Sequence, residues 1–157
     1  MPFTSEVLDT VTKFCKSKYD QRTFEHAKRV MIYASQNVDV YRFLSEYTTI
    51  QISCTSLMHE IIEDTKTTYY EIKEMLCECD DLYDWEINNL ISSLKILTHD
   101  KNTQTYEEYI INISNKRSFD VVAYVVKIAD MKDHLSLQET LTTKLKNKYL
   151  KALAELL

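Results

Sequence analysis

The stretch Leu57 to Thr65 holds the residues with the clearest chemical potential. One imidazole and three carboxylates occupy six positions at the end of an apolar helical run: His59, Glu60, Glu63 and Asp64. Like charges at such close spacing repel one another unless a cation lies among them. On a helix His59 and Glu63 would share one face and Glu60 and Asp64 the adjacent one, so that all four side chains can point into one cleft. The pattern predicts a divalent metal with an activated water, and a solvated helix end with His59 at its boundary is the equally open alternative.

Composition excludes several other chemistries. The chain has 157 residues and no glycine. Gly-rich phosphate loops, the dinucleotide fingerprint and the G-x-S-x-G nucleophile elbow are therefore absent, because each needs a backbone conformation that glycine adopts most readily. A net charge of −5 argues against duplex nucleic acid or an anionic membrane as a partner, since both require a basic face. Any catalytic chemistry must come from side chains.

The four cysteines do not have the spacing of a zinc site. Cys77 and Cys79 are two positions apart, closer than the usual C-x₂₋₄-C pair, and Cys15 and Cys54 stand alone. The sequence shows no signal-peptide pattern and no apolar run of about 18 residues. These features predict a cytoplasmic protein with reduced thiols and no membrane partner.

Helical periodicity runs through the chain and predicts an all-α fold, with one domain over residues 1–157. Val121 to Ala129 is the exception, because its β-branched residues also suit a buried strand. No convincing partner strand is found, so this segment is predicted to be a buried central helix. Apolar residues at helical spacing mark the other predicted helices: 7–14, 24–34, 50–61, 87–97, 106–113 and 137–156.

Two residues outside the first cluster are further candidate metal ligands. Asp130 follows the buried segment, and a carboxylate in such a place needs a partner because burying an isolated charge is costly. His26 lies on the polar side of the second predicted helix. A single histidine in that setting is more often structural than a metal ligand. His26 is therefore a candidate ligand only in combination with the other candidates.

The combination resembles a known signature. His26, the pair His59-Glu60 and Asp130 are similar to the H…HD…D pattern of the HD-domain metal phosphohydrolases, with Glu60 where the family has Asp. The chain is most similar to the RelA/SpoT-type hydrolase branch, whose small stand-alone members cleave guanosine tetraphosphate alarmones. Five pieces in the same order carry the resemblance: residues 23–30, 57–65, 97–101, 106–110 and 126–130.

The resemblance implies a fold and a cofactor. The fold would be an HD-domain-like helical bundle forming a single HD-type phosphohydrolase domain. One divalent metal would be bound, usually manganese in this branch, while two imidazoles with two carboxylates also suit iron or zinc. The implied metal ligands are His26, His59, Glu60 and Asp130.

The resemblance also implies a reaction and a substrate. The substrate is a small nucleotide, and the reaction is hydrolysis of the 3′-pyrophosphate of a guanosine tetra- or pentaphosphate alarmone. Glu63 and Asp64 match the acidic pair that orients and deprotonates the attacking water. The expected substrate-binding residues are Arg22, Lys101, Tyr106, Lys127 and His134.

Three departures from the branch leave other functions open. Glu60 is one methylene longer than Asp, about 1.5 Å of reach. His134 stands where the branch commonly has an Asn that holds the nucleotide sugar, and the usual base-gripping loop before His26 is not recognisable. The alternatives are an HD-type nucleotidase or phosphodiesterase with another nucleotide substrate, and a non-catalytic nucleotide-binding regulatory HD domain. The sequence does not predict an oligomeric state.

Overall fold

A computed structural model describes residues 5–38, 46–137 and 140–157. In these residues every regular element is a helix and no strand occurs, which confirms the predicted all-α class. None of these helices combines the length and apolar character needed to cross a membrane. The helices are α1 (Ser5–Lys18), α2 (Gln21–Val38), α3 (Glu46–Met58), α4 (Ile61–Asp64), α5 (Tyr69–Cys77), α6 (Asp84–Leu97), α7 (Tyr106–Asn115), α8 (Val121–Ser136) and α9 (Thr143–Leu156).

The β-branched segment Val121 to Ala129 lies entirely within α8, so the prediction of a buried helix is confirmed. Asp120 begins the helix by accepting a hydrogen bond from the backbone N–H of Ala123. Helix α8 packs against α2, α3, α6, α7 and α9, and most of its first ten residues are buried. Contacts from this many neighbours outweigh the weak helix propensity of valine and isoleucine.

The apolar core consists of two clusters that share α2, α3 and α6. The first joins these helices to α1 and α5, with Ala27 and Leu57 among its buried members. The second joins them to α7, α8 and α9, with Val30 and Ile52 among its buried members. The predicted metal ligands lie on α2, on the turn after α3 and on α8, which are elements that pack directly against one another.

The predicted helical run is interrupted at His59 and Glu60. Helix α3 ends just before His59, the single-turn helix α4 begins just after Glu60, and Glu60 has φ −109° and ψ 3°. On an uninterrupted helix adjacent side chains diverge by about 100°, whereas here His59 Nε2 and Glu60 Oε1 lie 3.6 Å apart. The expectation that His59 and Glu63 share one face is wrong, because His59 is buried and Glu63 is exposed.

The last helix begins later than the leucine spacing predicts. Leu137 and Leu141 lie before α9, which begins at Thr143. The reason is the side chain of Thr142, which accepts a hydrogen bond from the backbone N–H of Leu145 and so caps the helix. The threonine cap fixes the start of the helix, and the two leucines upstream do not extend it.

Candidate metal centre

The four predicted ligands meet at one point although up to 104 residues separate them in the chain. His26 Nε2 lies 3.0 Å from Asp130 Oδ1 and 3.4 Å from Glu60 Oε1. His59 Nε2 lies 3.4 Å from the same Asp130 oxygen and 3.6 Å from the same Glu60 oxygen. Two imidazole nitrogens therefore face one pair of carboxylate oxygens. His26 is buried, not on a solvated side of α2, because that side packs against α8.

A third imidazole joins this cluster. His134, one turn after Asp130 on α8, places its Nε2 3.1 Å from Asp130 Oδ1. His26, Glu60, Asp130 and His134 each offer one ligand atom, and these atoms all lie within 4.8 Å of one another. This group could hold a metal ion, with His59 Nε2 beside it. The sequence assigned His134 to the substrate, and the structure places it among the candidate ligands.

The distances between these atoms fit a bound transition-metal ion. Bonds of about 2.1 Å from histidine nitrogen and carboxylate oxygen place neighbouring ligand atoms about 3.0 Å apart in an octahedron and about 3.4 Å apart in a tetrahedron. The imidazole–carboxylate separations here range from 3.0 to 3.6 Å. His59 Nε2 is also fully buried without a hydrogen-bond partner in the described part of the chain, which is rare for a buried nitrogen. A bond to a metal ion would satisfy it.

The outer nitrogens of two imidazoles are held in the arrangement typical of metal ligands. His26 Nδ1 donates to Asp133 Oδ2 at 2.5 Å, and His59 Nδ1 donates to the carbonyl oxygen of Ser56 at 2.6 Å. Because a carboxylate and a carbonyl only accept, each Nδ1 must carry the proton. Both Nε2 atoms then face the cluster, and metal-ligating histidines are usually oriented in this way.

Asp133 is itself held in place by Arg29, and neither residue was predicted from the sequence to belong to the site. Arg29 Nε and Nη2 donate to the two carboxylate oxygens of Asp133 at 2.8 and 3.2 Å. Burial raises the pKa of Asp133, but the hydrogen bonds from His26 and Arg29 outweigh it and hold this pKa below its usual range. A helical spacing of three residues, from His26 to Arg29 and from Asp130 to Asp133, was the signal that could have found the pair.

Replacement of Asp133 by Asn is expected to weaken metal binding by about 10- to 100-fold, the usual effect of losing a residue that orients a ligand. The amide lacks the charge that holds His26 Nδ1–H and Arg29 together. Titration in competition with a chromophoric chelator measures the affinity. Asp120→Asn, the same change at the start of α8, is the matched control. Metal binding as tight as in the unmodified protein would show that Asp133 does not orient His26.

Lys127 lies inside the protein and not on a substrate-facing surface. Its Nζ is 2.7 Å from Asp130 Oδ2 and 4.9 Å from the centre of the Tyr109 ring. Burial raises the pKa of Asp130, but Lys127 and the three imidazoles outweigh it and hold this pKa well below its usual range. Lys127 thus keeps Asp130 ionised and occupies Oδ2, while Oδ1 faces the imidazoles.

Metal affinity is expected to rise with pH. Burial lowers the pKa of His26, but its carboxylate neighbours outweigh burial and raise it to about 12, and the same balance raises the pKa of His59 to about 9. Below these values the imidazoles hold protons that a metal ion must displace, so affinity falls as pH falls. For each proton that the metal ion displaces, metal affinity rises about tenfold per pH unit below the pKa of that imidazole. Calorimetric titrations in buffers of different ionisation enthalpy count these protons, and a pH-independent affinity would contradict the assignment.

The predicted acidic pair has two different environments. Glu63 Oε1 accepts a hydrogen bond from the backbone N–H of His99 at 2.5 Å, which ties α4 to the segment after α6. Asp64 lies against Glu60, where burial, together with the charges of Glu60 and Glu63, raises the pKa of Asp64 to about 7. A carboxyl group with that pKa is suited to exchanging a proton near neutral pH, and a cation beside Glu60 would lower the value.

The remaining predicted substrate residues surround the cluster without entering it. Arg22 is exposed one turn before His26 on α2. Lys101 is exposed in the turn after α6, where it lines a groove of about 530 Å³ together with Glu63. Tyr106 is half-buried, and its hydroxyl contacts the Met131 sulfur at 3.5 Å. In the described residues no hydrogen bond or ion pair joins Arg22 or Lys101 to the ligands.

Helix α9 contributes two residues that the sequence did not predict. The Tyr149 ring stacks on His134, with centroids 4.6 Å apart and an interplanar angle of 12°. Lys148 Nζ lies 4.1 Å from the centre of the Tyr106 ring. Burial and the nearby ammonium groups, Lys127 first among them, lower the pKa of Lys148. In the described chain no carboxylate lies within ion-pair distance of Lys148, which directly precedes Tyr149 and lies near its ring, 5.8 Å from the centre.

No protein-family model matches the chain, and no curated protein matches it. The fold and the site define a helical protein with a cluster of two imidazoles and two carboxylates that could hold a metal ion, and the His59 imidazole lies beside that cluster.

Proposed function

We propose that the protein is a metal-dependent hydrolase that removes the 3′-pyrophosphate of a guanosine tetra- or pentaphosphate alarmone. The observation that supports this most is the meeting of His26, His59, Glu60 and Asp130. These are the four residues that the resemblance to HD-domain phosphohydrolases assigned as ligands, and they come from three separate elements. Residues that matched the family pattern only by chance would have no reason to lie together in the fold.

The residues around the ligands have distinct roles in the proposed reaction. A divalent ion held there, manganese in the first instance with iron or zinc as alternatives, supplies Lewis acidity toward a phosphoryl oxygen and lowers the pKa of water. Asp64 accepts the proton of the attacking water, and Glu63 fixes the neighbouring segment through His99. The water oxygen bonds to the phosphorus that carries the 3′ oxygen, and the bond between that phosphorus and the 3′ oxygen breaks. Pyrophosphate leaves with the water oxygen, and the 3′ oxygen takes up a proton to become a hydroxyl.

The phosphate groups of the substrate need positive charge near a negatively charged cluster. Lys148 suits this role because it has no carboxylate partner in the described chain and lies between Tyr106 and Tyr149, 4.1 and 5.8 Å from their ring centres. Lys101 and Arg22, the cations assigned from the sequence, are exposed and available further out.

One observation favours a second candidate, a nucleotidase or phosphodiesterase acting on another nucleotide. His134 points its Nε2 at Asp130, whereas the alarmone hydrolases carry at this place an Asn that holds the nucleotide sugar. A site that uses this residue among its ligands would hold the sugar differently. The non-catalytic alternative has less support, because a chain without catalysis need not keep five potential ligands and an acidic pair together.

A nucleotide panel tests the proposal. Protein loaded with one equivalent of manganese, zinc or ferrous iron, in separate samples, is incubated with guanosine and adenosine 3′,5′-bis(diphosphates), with 5′-mono-, di- and triphosphates, and with phosphodiesters. Products are resolved by chromatography. We expect loss of the 3′-pyrophosphate and release of pyrophosphate, and no turnover by the Asp130→Asn variant. Cleavage of 5′-nucleotides or phosphodiesters alone would establish the second candidate, and no turnover of any compound would establish the non-catalytic one.

Replacement of Glu60 by Asp is expected to lower turnover at least tenfold. Glu60 Oε1 reaches 3.4 Å from His26 Nε2, and a side chain about 1.5 Å shorter withdraws that oxygen from the cluster. Turnover and metal content are measured on the same samples, with Glu155→Asp on the exposed end of α9 as the matched control. If the natural chain is inactive and Glu60→Asp becomes active, Glu60 has disabled the site and the chain is a degenerate hydrolase.

A further inference from the structure

We infer that His134 is a metal ligand and that this third imidazole shifts the site from manganese toward zinc or ferrous iron. The inference deepens the proposed function and rests on its metal centre, but not on hydrolysis. The resemblance gave His134 a place against the nucleotide sugar. The geometry around Asp130 gives it a different role.

The position of His134 relative to Asp130 closely matches that of an assigned ligand. His134 Nε2 lies 3.1 Å from Asp130 Oδ1, and His26 Nε2 lies 3.0 Å from the same oxygen. The two rings face each other with centroids 4.8 Å apart. Two nitrogens that flank one carboxylate oxygen at these distances lie where adjacent ligands of one ion would lie, because bonds of about 2.1 Å produce such separations.

The ring of His134 is also held in place. Its other face stacks on Tyr149 at 4.6 Å and 12°, so the imidazole lies between His26 and Tyr149. The His134 side chain is 27% exposed, against 2% for Asp130 and 9% for His26. His134 therefore lies on the solvent-facing side of the cluster. Because its Nε2 points inward at Asp130, that nitrogen does not face a nucleotide sugar outside.

A third imidazole changes the class of metal that the site prefers. Carboxylates suit manganese and magnesium, whereas imidazole suits zinc, iron, nickel and copper. Two imidazoles with two carboxylates leave the choice open. The addition of His134 makes nitrogen the majority donor and favours zinc or ferrous iron over manganese.

The alternative physical state of His134 predicts the opposite effect. If this imidazole only donates a hydrogen bond to Asp130, it competes with a metal ion for the same oxygen. Removing the imidazole would then strengthen metal binding. If His134 is a ligand, removing it must weaken binding, and more for zinc than for manganese.

Metal titrations without nucleotide test the inference. Metal-free protein is titrated separately with zinc and with manganese against competing chelators, for the natural chain, H134N and H134Q. His99→Asn is the matched control, because His99 is a half-buried histidine stacked on a tyrosine but outside the cluster. We expect both His134 variants to lose at least tenfold in zinc affinity and less than about threefold in manganese affinity, with the control unchanged. Zinc affinity that is unchanged or higher would overturn the ligand role, and equal losses for both metals would overturn the metal preference.

A spectroscopic readout keeps the test independent of folding and of activity. In zinc-loaded natural protein with ¹⁵N-labelled histidines, we expect the Nε2 resonance of His134 to shift on metal binding together with that of His26. A resonance that does not move would overturn the inference even if both variants failed to fold. Metal binding without any nucleotide hydrolysis would refute the proposed function alone, and hydrolysis with zinc affinity independent of His134 would refute this inference alone.

Discussion

Replacement of Asp130 by Asn is expected to reduce metal affinity by more than about 100-fold, the largest loss for a single substitution in the chain. Residues that only orient a ligand contribute about 10- to 100-fold, and Asp130 contributes more. Its Oδ1 lies within 3.0 to 3.4 Å of three imidazole nitrogens. The amide removes the one charge that all three share, and calorimetric or chelator-competition titration measures the loss.

A second variant separates metal loss from damage to the fold. Asp130→Asn leaves the buried ammonium of Lys127 without its counter-ion, which destabilises a protein by about 3 to 5 kcal/mol. In the double variant Asp130→Asn/Lys127→Met the unpaired charge is gone, so we expect the free energy of unfolding to recover and metal affinity to stay low. Recovery of metal binding with recovery of stability would mean that Asp130 supports the fold and is not a ligand.

Replacement of Asp64 by Asn is expected to lower turnover by about 10²- to 10⁴-fold, the range for loss of a general base, while the metal remains bound. Asp64 lies beside Glu60 but outside the ligand cluster, so its carboxylate can accept a proton from water without giving up a bond to the ion. The amide retains the shape of the side chain and cannot accept the proton. Turnover and metal content must be measured on the same preparation.

Two controls assign this effect to Asp64. Glu63→Gln retains a carbonyl oxygen that can accept the hydrogen bond from His99 N–H, so we expect a smaller fall in turnover and full metal content. Asp100→Asn changes an exposed carboxylate near the groove and should leave both quantities unchanged. If Asp64→Asn lost metal to the same extent as Asp130→Asn, the division between ligands and proton acceptor would be wrong.

Local sequence patterns were sufficient for most of the fold. Helical spacing identified the core helices other than α5. The lack of a convincing partner strand correctly favoured a helix at Val121 to Ala129. The ends of the helices were harder to predict from the sequence. The apolar spacing continues to Ile61 across the turn at His59 and Glu60, because residues on both sides of the turn are buried in the core. The spacing therefore gives no sign that the helix ends there.

The candidate metal ligands could be brought together from the sequence only because resemblance to a family pattern supplied their combination. Neither His26 nor Asp130 has a decisive local signal, and they meet through the packing of α2 on α8. The same long-range packing explains what was missed. Asp133, Arg29 and Tyr149 act on the imidazoles of His26 and His134 across helix interfaces, and spacing along one helix does not reveal contacts between helices.

Lys127 shows a further limit of reasoning from residue type. The family resemblance assigned Lys127 to the substrate, yet its ammonium is buried against Asp130. Charge type alone does not distinguish a cation that meets a substrate from one that neutralises a buried ligand. The distinction requires knowing which residues close over the side chain, and that depends on Tyr109 from α7.

Anomalous diffraction from crystals soaked in manganese or zinc tests the central claim most directly, because it locates the ion without reference to activity. We expect one strong peak about 2.0 to 2.3 Å from His26 Nε2, His59 Nε2 and Asp130 Oδ1, with Glu60 also bound. A peak elsewhere, or an ion at surface carboxylates with this cluster empty at saturating metal, would contradict the account.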